Sequence, residues 1–149
     1  MVKLQEILLE IGVILRGFVL CSAIFRDDPA LKIEDKETSK NLRGAFISAI
    51  NSFAESYFSS DAELEYLQSG EVLCIFKVGE IKGNDSIKKE PVIIYAITSK
   101  KRNPDKIVRK FMEKANPMLE YFVQKYSKKD FTDLDSFRSF EKEIFDYFE

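Results

Sequence analysis

Ile11-Gly12-Val13-Ile14-Leu15-Arg16-Gly17-Phe18-Val19-Leu20-Cys21-Ser22-Ala23-Ile24-Phe25 is the stretch on which the fold turns. Leu4, Ile7, Leu8, Ile11, Ile14 and Leu15 fit a helical stripe. The same residues also fit a strand that ends at Arg16-Gly17, with a second strand beginning at Phe18. Periodicity alone does not separate the two for apolar runs this short. Two strands meeting near Arg16-Gly17 are the preferred reading, with an N-terminal helix before a single strand as the alternative.

Outward from this hairpin the signals are clearer. Arg26 to Lys40 is polar, with a turn at Asp27-Asp28-Pro29, and Thr38 or Ser39 is suited to cap a following helix. Leu42 to Phe58 carries Leu42, Phe46, Ala49, Ile50, Phe53 and Tyr57 on one face and predicts an amphipathic helix. Leu64 to Leu67 is a short β-like run, and Val72 to Val78 predicts a strand. Gly79 to Lys89 reads as a hairpin loop. Val92 to Ile97 is apolar throughout, as a strand covered on both faces should be.

Asn103-Pro104-Asp105 predicts a helix start, with Asn103 as cap and Pro104 at the first position. That helix runs toward Tyr126 on a stripe of Ile107, Phe111, Ala115, Met118, Phe122 and Tyr126, and Pro117 should kink or split it near Ala115-Asn116. A final amphipathic helix follows through Leu134, Phe137, Phe140, Ile144 and Phe148. The expected fold is therefore α+β: a five-stranded antiparallel sheet with helices packed on it, in the order β-β-α-β-β-β-α, plus an additional C-terminal helix.

Composition narrows the function classes. The 149 residues suit one domain with one core, with 45% hydrophobic and 32% charged residues. A net charge of −2 argues against a dedicated nucleic-acid binder. The absence of His removes triad hydrolases and the commonest zinc ligand. Cys21 and Cys74 match no metal spacing and read as buried thiols, compatible with a reducing cytoplasm. Ile7 to Phe25 contains Glu10 and Arg16 and makes a poor membrane span. It also lacks the basic lead and cleavage site of a signal peptide.

Several pieces resemble longin-like sequences, a group that shares its outline with the roadblock-like domains. They are Gly17-Phe18-Val19-Leu20, then Leu42-Arg43-Gly44-Ala45-Phe46-Ile47-Ser48-Ala49-Ile50 with Phe53, then Gly70-Glu71-Val72-Leu73-Cys74-Ile75-Phe76, and finally Ile94-Tyr95-Ala96-Ile97 before the long helix. The resemblance covers roughly residues 5 to 126 and contains no invariant functional residue. It implies a longin-like domain over 1–126, with 127–149 as a C-terminal helix packed on or extending from it in one domain overall. It further implies a non-catalytic protein-interaction module in trafficking or small-GTPase regulation, in the cytoplasm or peripheral to membranes. The expected partner is a small GTPase or another longin or roadblock subunit, in a homo- or heterodimer. A small-molecule-sensing domain and a homo-oligomeric scaffold are the alternatives.

No catalytic, cofactor-binding or metal-binding residue is assigned. The acidic loop of Asp27, Asp28, Glu34 and Asp35 lacks EF-hand spacing, and Gly79 to Gly83 lacks the Gly-Lys-Ser/Thr of a phosphate loop. Two features qualify as interaction surfaces. Residues 100–129 hold ten basic and three acidic side chains, and Lys106, Lys110 and Lys114 share one helical stripe. That stripe suits an anionic membrane or an acidic partner, although a solvated face is the plainer account. Residues 130–149 hold seven acids and two bases, with Phe137, Phe140, Phe145 and Phe148 among their aromatics. These aromatics either dock in cis or contact a partner in trans.

Overall fold

The computed structural model describes residues 4–26, 66–69, 72–99 and 103–149, together with Ala49, which is helical. Residues 27–40 of the expected loop and nearly all of the expected helix over Leu42–Phe58 lie outside these residues. A single helical turn, α1 (Leu4–Ile7), leads into β1 (Leu8–Leu15), β2 (Phe18–Ile24), β3 (Tyr66–Ser69), β4 (Val72–Ile81) and β5 (Glu90–Ser99). Helix α2 (Pro104–Tyr126), a 3-10 turn over Leu134–Phe137 and helix α3 (Ser139–Phe148) complete the chain. The strands form one antiparallel sheet in the order β2-β1-β5-β4-β3.

The N-terminal ambiguity is settled in favour of two strands, preceded by the short α1. Arg16 and Gly17 both have positive φ, 56° and 79°, and they join Leu15 to its partner Phe18 as a two-residue hairpin turn. Positive φ at both central positions matches the twist of the flanking strands. Gly17 adopts it without steric cost, whereas Arg16 requires compensation from its side chain. One β-bulge follows: Val13 pairs with Cys21 and Ile14 with Val19, which leaves Leu20 as the extra residue of the outer strand.

Strand β5 lies at the centre, between β1 and β4, and every residue from Val92 to Thr98 is buried. This explains its unbroken apolar run. Strand β4 extends beyond the expected Val78 through Gly79, Glu80 and Ile81. There the ladder continues as Glu80 opposite Pro91 and Ile81 opposite Glu90, so the hairpin loop shrinks to residues 82–89. Strand β3 is described over Tyr66–Ser69 and so reaches beyond the expected end at Leu67, while Leu64 and Glu65 lie outside the described residues.

One sheet face is covered by α2 over β4 and β5 and by α3 over β2 and β1. Ile107, Phe111, Ala115, Met118, Phe122 and Tyr126 of α2 join Phe137, Phe140, Ile144 and Phe148 in one continuous core with Leu8, Ile11, Leu73, Ile75 and Ile94. The other face carries a separate cluster of Leu9, Ile14, Phe76, Ile93, Tyr95 and Ile97. On β1, Gly12 stands opposite Tyr95. A Cβ at Gly12 would sit 2.6 Å from the Tyr95 ring, so the phenol can cross this strand only above a residue with no side chain. The Tyr95 hydroxyl then donates to the buried carboxylate of Glu10.

Two helix expectations are corrected. Asn103 makes no side-chain cap; it adopts φ 64°, and its carbonyl accepts the Lys106 N–H at 3.2 Å. Pro117 does not split α2, which runs unbroken from Pro104 to Tyr126. Proline has no N–H for the carbonyl of Glu113, but it lies on the exposed side of the helix, and the next carbonyl, that of Lys114, accepts the Tyr147 hydroxyl at 2.9 Å. The final helix begins later than expected. Leu134 and Phe137 belong to the 3-10 turn, and Leu134 points outward. Cys21 is buried as expected, while Cys74 is only half-buried.

Candidate functional site

The C-terminal segment docks in cis. Antiparallel pairing with α2 places Phe148 against Phe111 with ring centroids 5.9 Å apart, and Phe137 against Tyr126 at 4.7 Å. Phe140 makes edge-on contacts with Phe122 at 5.0 Å and Tyr126 at 5.8 Å. Phe137, Phe140 and Phe148 are fully buried by these contacts, so they cement the domain and are not available at its surface. Phe145 differs: it stacks on Phe25 at 5.1 Å yet stays 37% exposed. At the helix pair's outer seam, Lys125 and the Tyr121 hydroxyl both donate to Glu143 at 2.7 Å. These bonds hold the Glu143 carboxyl below its ordinary range, Lys125 first and Tyr121 second.

Of the lysine stripe, Lys106 and Lys114 are exposed and Lys110 is half-buried. The Lys114 ammonium lies 5.8 Å from the Tyr147 ring centroid, so part of the stripe is engaged by α3. Residues 100–102 are outside the described set.

The structure exposes Phe18 and Ile24, which sequence reading did not single out, beside Leu134, which it placed on an apolar stripe, and Phe145, which it named as a candidate contact. Strand β2 is an outer strand of the sheet, and its two ends present Phe18, 54% exposed, and Ile24, 41% exposed. Beside it stand Leu134 at 48% and Phe145 at 37%. Phe18 and Leu134 open onto one apolar hollow of about 220 Å³ that also takes in Leu20 and Phe131. Contact through unpaired edge backbone is restricted here. Leu20 bulges out of register, and the Ser22 N–H already donates to the Glu141 carboxylate at 3.3 Å. Both features blunt an edge against strand addition, so a contact here is made chiefly by side chains.

A second hollow, a cleft of about 470 Å³, lies between α2 and α3 and is lined by Pro117, Met118, Tyr121, Glu143, Asp146 and Tyr147. Sequence spacing placed neither Tyr121 nor Tyr147 on a buried stripe, and Tyr147 counted only among the aromatics of the terminal segment.

Arg16 clamps the far end of the sheet. Its guanidinium donates two bonds to Asp85, at 2.8 and 3.1 Å, and two to Glu90, at 2.8 and 2.9 Å. It also lies 5.4 Å from the Phe131 ring centroid. This set of contacts offsets the left-handed backbone at Arg16 and joins the β1–β2 turn to the 82–89 loop. The Arg16 hydrogen bonds hold the Asp85 carboxyl below its usual range, and bonds from Thr132 do the same for Asp130. A carboxylate with a depressed native pKa contributes stability that is fully present above its unfolded-state pKa. That stability is lost as pH falls through the native value. Urea midpoints should therefore fall on acidification from about pH 7 toward about pH 3. Asp85→Asn should be less stable than wild type at neutral pH and show a shallower acid decline; an identical decline would separate Asp85 from the acid response.

Among the described residues no group of His, Cys, Asp and Glu side chains is placed to hold a metal ion, and no helix is long and apolar enough to cross a membrane. No family model matches the chain, and no curated protein matches it. Among solved structures it is similar to MglB in a tetrameric arrangement, at 16% identity and a TM-score of 0.49, with 83% of each chain covered. A likeness of this strength says nothing about partner or activity.

Proposed function

We propose that this chain is a non-catalytic protein-interaction module of the longin/roadblock type, which contacts its partner through the rim formed by β2, the Leu134 turn and α3. The observation that carries this reading is the set of exposed apolar side chains Phe18, Ile24, Leu134 and Phe145 gathered along one side of the molecule. Large apolar side chains grouped on a surface mark contact sites, and aromatic residues are enriched at the cores of interfaces. The fully buried aromatics of α3 keep that rim rigid and lower the entropy lost on binding. The resemblance in element order and apolar spacing points to a small GTPase, or another longin or roadblock subunit, as the partner.

Affinity capture of the tagged protein from its native lysate tests this, run once with GDP and once with a non-hydrolysable GTP analogue. The expected result is recovery of a small GTPase in one nucleotide state, or of a longin or roadblock subunit in both. Recovery should be lost when Phe18, Leu134 and Phe145 are each replaced by Ser. Equal recovery by the substituted protein would remove the rim from the reading. Recovery of neither partner class would overturn the reading itself.

A further inference from the structure

Resting on the interaction-module reading, we propose that the cleft between α2 and α3 receives the basic side chain, arginine or lysine, of a partner polypeptide. Two aromatic rings face this hollow from different helices: Tyr121, 44% exposed, and Tyr147, 40% exposed. Both hydroxyls are already engaged, Tyr121 with Glu143 and Tyr147 with the Lys114 carbonyl. The rings are thereby held in place, and they offer a ligand their π-faces more than their polar tips.

The charges of the cleft are unequal in availability. Glu143 is occupied by Lys125 and Tyr121. Asp146 is exposed and lines the same cleft, and its carboxylate has no ion pair or hydrogen bond among the described residues. Among the residues that line the cleft the uncommitted charge is therefore negative, and the Lys114 ammonium lies outside that lining, 5.8 Å from the Tyr147 ring centroid. A carboxylate beside aromatic faces favours a cation, since the ring quadrupole attracts positive charge and the carboxylate completes a charge-assisted bond. Pro117 and Met118 supply apolar surface for the alkyl stem that arginine and lysine carry beneath their charge. The rings already keep such company within the chain, with the Lys125 ammonium 5.9 Å from Tyr121 and that of Lys114 5.8 Å from Tyr147. An acidic ligand would meet two carboxylates. A neutral apolar ligand would desolvate Asp146 without pairing it, which is unfavourable.

The test is a chemical-shift titration of the ¹⁵N-labelled full chain with the peptide acetyl-Ala-Arg-Ala-amide. Acetyl-Ala-Gln-Ala-amide serves as the uncharged control, and Asp146→Asn and Tyr121→Leu as variants. The arginine peptide should shift amides around Tyr121, Asp146 and Tyr147, and the glutamine peptide should not. Each substitution should weaken binding about threefold to fivefold, the scale of one exposed ion pair or cation–π contact. Added salt should weaken it further. Preserved spectra of the free variants separate loss of binding from loss of fold. The proposal is overturned by shifts equal for both peptides, by shifts confined to other parts of the chain, by no shifts, or by unchanged affinity in Asp146→Asn. If the peptide binds while lysate capture recovers no partner, only the module reading fails. If a partner is captured but the peptide leaves the cleft unshifted, only the cleft assignment fails.

Discussion

Replacing Phe140 by alanine is expected to destabilise the chain by about 3–5 kcal/mol, the cost of deleting a fully enclosed aromatic and leaving its cavity. The size follows from position. Phe140 has no exposed surface and lies among Phe122, Tyr126 and Tyr121, with the Lys125 ammonium 5.8 Å from its ring centroid. Its neighbours come from the middle and end of α2, so no single side chain can relax into the gap without opening the seam between the helices. Phe145→Ala, five residues on and 37% exposed, loses only its stack on Phe25. It should cost about 0.5–1.5 kcal/mol. Urea unfolding of the two variants side by side makes the comparison. Similar losses for both would mean that α3 is not seated on the sheet as described, and that its aromatics serve a partner in trans.

The second large effect is expected at the smallest residue. Gly12→Ala should destabilise by about 3 kcal/mol, at the upper end of overpacking in a filled core. For a chain of this length the melting temperature should fall by roughly 6–12 °C. The added methyl group would lie 2.6 Å from the Tyr95 ring, and Tyr95 has no exposed surface into which to swing. The ring is further tied by its bond to Glu10. Pairing Gly12→Ala with Tyr95→Leu should relieve the clash, so the double variant should be more stable than the sum of the single losses by about 2 kcal/mol. Additive losses, or a harmless Gly12→Ala, would show that the ring does not cross β1 at this position.

Much of the architecture was legible because burial imposes a rhythm on the chain. Val92–Ile97 reads as a central strand for the same reason that it is one: its side chains alternate between the helix-covered core and the cluster with Leu9, Ile14 and Phe76 on the other face, and each meets apolar surface. The stripe from Ile107 to Tyr126 is likewise the face of α2 that meets the sheet. Where periodicity failed, local energetics competed with tertiary contacts. Pro117 argued for a broken helix, yet α2 continues because the proline lies on the exposed face and α3 supplies a hydroxyl to the adjoining carbonyl. Asn103 had the identity of a cap, but its left-handed backbone turns it away from that role.

The candidate site was the least legible part, and the reason is physical. Aromatic content in residues 130–149 marked this segment as adhesive without saying to what. The pattern of Phe137, Phe140 and Phe148 is the same whether the covering surface belongs to this chain or to another. Sequence alone determined the strand at Val92–Ile97, the helix toward Tyr126 and its core stripe, and it favoured without deciding the hairpin at Arg16-Gly17, because these depend on near neighbours and on a residue's affinity for water. Only the tertiary structure decided that α3 folds back on α2 and β2, that Phe145 stays at the surface, that Tyr121 and Tyr147 face one cleft, and that Gly12 must remain bare beneath Tyr95. Each of these depends on residues distant in the chain meeting within a few ångströms, and no local pattern records that distance.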